Sequence, residues 1–278
     1  MKMIKIVSSF MLILAFASCS SDSGGSSSDE ASMSVNGTNV VLSSPIVQRG
    51  EDTFVMTADL PNDESLQIEF NKYGNLGEFS YWQEFEVFKT YEHYKSNYFT
   101  FNLISVNENT RRVKVSFSGT LYADENDLNS DTRQVSGTFD LPYLVTTPLL
   151  TGLGLKCKIG SNDWYETSFW DNGFGNIDRK FISDDENQII MQFVDEDIST
   201  GTYTFTTSSM NKMQLAKFNT TTLSYTEYNT TGTVTVTSNS FPLFGIRVIE
   251  GTFSLTATNP SNSADVIQVT NGSFKTNF

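Results

Sequence analysis

Histidine is nearly absent from this sequence: His93 is the single one among 278 residues. A serine or cysteine hydrolase needs a base beside its nucleophile, and His93, within KTYEHYKSNY, would have to serve alone. No GxSxG, HExxH or Cys/His ligand set occurs, so zinc chemistry has no donors and neither metal nor cofactor is implied. His93 itself is expected on an exposed loop or strand. Cysteine is almost as scarce, with only Cys19 and Cys157. Basic residues are few: 18 Lys and Arg against 32 Asp and Glu leave a net charge of −14. Nucleic-acid binders neutralise phosphates with clustered cations, so nucleic acid is excluded as a partner, and adsorption to anionic lipid is disfavoured. No apolar run approaches the roughly 20 residues a spanning helix needs, and no convincing helix is longer than two turns.

What is present begins at the N-terminus. Lys2 and Lys5 precede an apolar stretch from Ile6 to Ala17, the n- and h-regions of a secretory signal. Ala17-Ser18-Cys19 then resembles the lipobox of bacterial lipoproteins, with Phe16 where that box usually carries Leu. The resemblance implies cleavage after residue 18, lipidation of Cys19 and a lipid anchor in the bacterial outer membrane. The segment 19–31, rich in Ser and Gly, reads as a flexible tether. With Cys19 acylated, Cys157 has no partner for a disulfide, and its neighbours LKCKI suggest a buried structural thiol.

Beyond the tether the pattern has period two. VKVSFSG sets Val113, Val115 and Phe117 against Lys114, Ser116 and Ser118, and TYTFTT, TGTVTVTS and GTFSLTAT behave alike. Thr, Val, Tyr and Phe dominate these runs and Asn-, Asp- and Gly-rich turns separate them, so the chain reads as all-β and antiparallel. The same landmarks recur in order. SVNGTNV (34–40) parallels KIGSNDW (158–164), SLQIEF (65–70) parallels QIIMQF (188–193), and GEFSY (77–81) parallels GTYTF (201–205). SGTLYA (118–123) parallels TGTVTV (231–236), and VSGTFDL (135–141) parallels IEGTFSL (249–255).

Two tandem homologous antiparallel β domains are expected, 32–147 and 155–278, each a sandwich or a partly closed barrel, joined by a linker at 148–154. The glycines of the repeated heptads are expected to shape the sheet. Only the second copy continues into a closing strand, VIQVTNGSF, so the end of the first is expected either to leave an open sheet edge or to have that edge covered by the linker. The short VNG opening and the GxYxF, SGTVTV, EGTFSLTAT and VTNGSF strands resemble an uncharacterised family of β-rich lipoprotein domains from Bacteroidetes-type bacteria. The resemblance implies a fold and an envelope location, and no chemistry.

Nothing in the motifs points to an enzyme; a carboxylate-based glycosidase, which needs only two acidic residues, is the weakest of the readings. Asp127-Leu128-Asn129-Ser130-Asp131 opens like a calcium loop but has Thr132 and Thr138 where such a loop carries Gly and Glu, so a solvated turn is expected within 124–131. Aromatic residues are the suggestive feature. Phe85 and Phe88 are expected in the core, while Trp82, Tyr94, Trp164 and Trp170 are the candidates for a ligand-binding face, since rings rimmed by Asp, Asn and Glu stack on sugars. The expected function is a lipid-anchored envelope module binding glycan or protein. An adhesive subunit assembling through the open edge strand is the alternative.

Overall fold

A computed structural model of the chain describes residues 29–173 and 175–278. The signal segment, Cys19, most of the tether and Phe174 lie outside the described residues. The fold is all-β, with antiparallel pairing dominant. The N-terminal unit contains β1 (Glu30–Val35), β2 (Thr38–Val40), β3 (Ser43–Arg49), β4 (Thr53–Asp59) and β5 (Ser65–Asn71). It continues with β6 (Leu76–Gln83), β7 (Glu86–Thr90), the helical turn α1 (Lys95–Tyr98), β8 (Phe99–Asn107), β9 (Arg112–Tyr122) and β10 (Thr132–Val145). The first strand takes in the last residues of the expected tether, because Glu30 and Ala31 pair with Asp140 and Phe139.

Alternation explains the strands. Along β9, Val113, Val115 and Phe117 are buried while Lys114 and Ser116 are not. The sheet closes into a barrel because β10 has more than one neighbour. Its middle lies between β1 and β9, and its end, Tyr143 to Val145, runs parallel to Val47 to Arg49 of β3. Neighbour by neighbour, β10, β3, β4, β5, β6, β7 and β9 form a closed circuit, from which β1 with β2 and β8 branch. The expected open edge at the end of this unit is therefore filled: β1 occupies it directly, and β3 takes over where β1 ends.

The C-terminal unit contains β11 (Gly154–Ile159), β12 (Asn162–Tyr165), β13 (Ser168–Asp171), β14 (Ile177–Ile182) and β15 (Asn187–Phe193). After these come β16 (Gly201–Thr206), β17 (Lys212–Asn219), β18 (Ser224–Glu227), β19 (Asn229–Leu243), β20 (Ile246–Asn259) and β21 (Asn262–Asn277). Here two sheets, ordered β12-β11-β21-β20-β19-β16 and β13-β14-β15-β17-β18, pack face to face as a sandwich. The two units have separate cores, one around Phe54, Phe70, Phe79 and Phe139 and the other around Trp164, Phe181, Phe193, Phe205 and Phe253.

One proposed parallel fails. GEFSY lies in β6, beside β5, but GTYTF lies in β16, across the sandwich beside β19. In neighbours, β16 matches β8, the edge strand of β9, while β17 and β18 match β6 and β7. Period-two alternation states that a strand is half-buried, not which strand lies next to it.

The repeated heptads occupy β10 and β20, where Gly137 faces Phe117 and Gly251 faces Phe274 across the strand pair. A methyl group on Gly137 would sit 2.7 Å from Phe117 Cζ, and one on Gly251 2.5 Å from Phe274 Cζ. Each glycine is thus the floor beneath an aromatic ring, a close approach that no side chain permits.

Candidate functional site

The four aromatic candidates do not share an exposed face. Trp164 is buried, 3% exposed, in the C-terminal core, opposite Cys157 on β11, and its Nε1 donates to Asp185 Oδ1 at 3.0 Å. It is a core residue because β12 is short and turns its single large apolar side chain inward. Trp82 is half-buried on β6 between Ser65 and Val87. Tyr94 and Trp170 both lie at the seam between the units, Tyr94 against the cluster of Tyr91, Tyr122 and Phe218 and Trp170 against His93. Phe85, expected in the core, is fully exposed at the β6–β7 turn, whereas Phe88 is buried.

The seam is built from the segment between β7 and β8. Tyr91, Tyr122 and Phe218 form a third buried cluster, with Tyr94, Tyr98 and Tyr225 packed against it. His93 lies inside it, its ring 5.5 Å from Tyr91, 5.4 Å from Trp170, 5.3 Å from Phe218 and 5.4 Å from Tyr225. It is therefore not the exposed residue expected. Its Nδ1 is buried without a partner, and burial, reinforced by Lys95, pushes its pKa down to about 4. Trp170 Nε1 donates to Glu92 from across the seam. Asp184, on the loop between β14 and β15, fastens the two units. Its carboxylate accepts from Asn75 Nδ2 at 2.9 Å and from the Leu76 amide at 3.2 Å, and its carbonyl accepts from the Ser96 amide at 2.8 Å.

Two hollows follow this seam. The inner one, about 120 Å³, is lined by Glu69, Glu78, Glu92, Glu125 and the buried Lys95. Lys95 Nζ donates to the Glu92 carbonyl at 3.1 Å, and burial lowers its pKa against the pull of the surrounding carboxylates. Lys89 ties down Glu78 at 3.1 Å and Glu125 at 3.0 Å. The outer hollow is a cleft of about 740 Å³, which shares Glu69, Gly77 and Thr167 with the inner one. It lies between the β4–β6 region, the linker and strands of the C-terminal unit. Tyr73 from one unit stacks on Tyr165 from the other, with ring centroids 3.5 Å apart and planes inclined by 6°.

Within the cleft most charges are already matched. Lys72 pairs with Asp52 at 2.5 Å, the Tyr73 hydroxyl donates to Asp52 at 2.9 Å, and Lys275 pairs with Glu250 at 2.8 Å. Two carboxyls are not matched. Glu166 is partly exposed as a residue, but its Oε2 is sealed from solvent without a partner; burial raises its pKa to about 8, against a backbone hydrogen bond at Leu155 and the pull of Arg179. Burial and then Glu78 raise Glu69 to about 7. Neither residue stands in a motif, so sequence reasoning missed both: Glu69 lies on the face of β5 opposite the buried Ile68 and Phe70, and Glu166 lies in the connection between β12 and β13, so no local pattern marked either.

Other candidates resolve simply. Cys157 is buried, and burial pushes its thiol up to about 12. In 124–131, Asp124 Oδ1 accepts from the Asn126 amide at 3.0 Å and Asp127 Oδ1 from the Asn129 amide at 2.9 Å, the bonding of a self-contained turn. Among the described residues no cluster of His, Cys, Asp and Glu could hold a metal ion.

Residues 182–276 match the family described as Domain of unknown function (DUF6252). The matched stretch runs from the end of β14 through most of β21, and so lies wholly in the C-terminal unit. From the seam it includes Asp184, Phe218, Tyr225 and Lys275, while Tyr165, Glu166 and the opposing N-terminal wall fall outside it. No curated protein and no solved structure shows a match.

Proposed function

We propose that the chain is a lipid-anchored envelope protein, without catalytic activity, that binds a ligand in the cleft between its two β units. The cleft carries this reading. Its volume of about 740 Å³ falls in the range of roughly 300–1,000 Å³ typical of ligand sites, which gather at domain interfaces. Both walls are held by bonds that span the seam, so the hollow is formed before any ligand arrives. The anchor rests on the sequence around Cys19, and the two units are read as copies of one β design.

A second reading, a glycosidase, has Glu69 and Glu166 in its favour, since both line the same cleft. That chemistry pairs a protonated carboxyl with an ionised one. Burial raises both Glu69 and Glu166 toward their protonated forms, and both carboxylate oxygens of Asp52 are engaged by Lys72 and Tyr73, so the cleft offers no free carboxylate for the ionised role. The binding reading is therefore preferred.

Two experiments test it. Metabolic labelling with a fatty-acid analogue is expected to mark the wild type and not Cys19→Ala. A thermal-shift screen of small molecules should find compounds that stabilise the wild type but not Tyr165→Ala; a screen whose every hit stabilises both equally would remove the cleft as the site.

A further inference from the structure

Three features of the cleft, taken together, narrow what can occupy it. The first is charge. The charged side chains that line it are largely neutralised, Asp52 by Lys72 just outside the lining and Glu250 by Lys275 within it. Glu51 is engaged as well, by the Gly152 amide. Lys156 remains, exposed to solvent. An ionic ligand would find almost no uncommitted counter-charge and would lose its hydration on entering.

The second is the pair of carboxyls with spare hydrogen-bonding capacity. Glu166 Oε2 has no partner, and among the described residues no hydrogen bond reaches the Glu69 side chain. A protonated carboxyl offers one donor and further acceptor sites, which suits a hydroxyl group that also donates and accepts. Leaving such a group unpaired in the interior costs stability, which a ligand hydroxyl would return. The charged groups that act on Glu166 are Arg179 and, through it, Asp171.

The third is the mixed character of the walls. The linker supplies Pro148, Leu150 and Leu153, the stacked Tyr73 and Tyr165 supply aromatic surface, and the strands supply the polar groups. A purely apolar ligand would strand the carboxyls, and a purely ionic one would waste the apolar wall. Sugars present both surfaces at once, with C–H faces for rings and hydroxyl rims for carboxyls and amides.

We infer that the cleft takes an uncharged saccharide, with Glu166 and Glu69 bonding its hydroxyls and the linker and tyrosine pair lying against its C–H face. This inference rests on the cleft being the ligand site.

The test uses the full chain in a detergent whose headgroup is not a sugar, applied to an array of neutral and acidic glycans, with calorimetric titration of the strongest neutral hit. Neutral glycans are expected to bind. Glu166→Gln, which keeps donor and acceptor, should hold affinity within about threefold, while Glu166→Leu should weaken it tenfold or more. Since Leu removes an unpaired buried carboxyl, that variant should melt at or above the wild-type temperature, an outcome that loss of fold cannot imitate. Binding of acidic glycans alone, or of none, would overturn the saccharide inference and leave the cleft reading to the small-molecule screen. Equal binding of a neutral glycan by wild type and Glu166→Leu would overturn the assignment of this site.

Discussion

Single residues in this protein are constrained by what lies directly opposite them. Gly137 and Gly251 sit under Phe117 and Phe274, so adding one methyl group must move a ring or a backbone strand. Gly137→Ala or Gly251→Ala is expected to cost about 1–3 kcal/mol by overpacking, read as a lower urea midpoint with an unchanged slope. That these glycines were structural was legible in the heptads, but the rings above them stand on other strands, out of reach of local pattern. The titrating residues work in two opposed directions. His93 holds its neutral form down to about 4 instead of 6.5, so its share of stability is complete above the higher value and is lost as pH falls through the lower. Glu166 keeps its proton up to about 8 instead of 4.5, so its share is complete at low pH and is lost as pH rises through 8. The melting temperature of Glu166→Gln relative to wild type should therefore climb between about pH 5 and about pH 9, as followed by calorimetry.

At the scale of strands and loops, local alternation carried the all-β reading, but it could not tell inward from outward for an isolated aromatic. Trp164 was a surface candidate because NDWY has acidic and amide neighbours; the pairing of β12 with β11 turns it into the sandwich. Trp164→Ala should cost about 3–5 kcal/mol and leave the affinity of a cleft ligand unchanged in the folded fraction, measured by denaturation and titration together. The loop between β14 and β15 has the opposite character. SDDEN looks like a solvated turn, yet Asp184 spends its carboxylate and its carbonyl on the other unit. Asp184→Ala strips the charged acceptor from Asn75 and Leu76. A loss of about 2–4 kcal/mol is expected from bonds to a charged group, with one calorimetric transition separating into two as the units melt apart.

The whole molecule is a barrel and a sandwich joined along a seam, and the seam is where sequence reasoning reached least. Tyr91, His93 and Tyr94 come from one unit and Trp170, Phe218 and Tyr225 from the other, and nothing in either stretch names the partner. Expressed alone, residues 152–278 would bare Trp170, Phe218 and Tyr225, and are expected to self-associate in light scattering where the full chain does not. Strand order has a last consequence, which concerns time rather than stability. In each unit the opening strand pairs with the end of that unit's chain: β1 waits for β10, and β11 waits for β21. A polypeptide threaded across a membrane from its N-terminus would carry the β1–β2 pair through with the other edge of β1 open until some hundred residues had followed. Contacts of such long sequence separation form slowly. In such a passage transit would precede folding, and the open edge of β1 is the segment that a holding chaperone would have to cover.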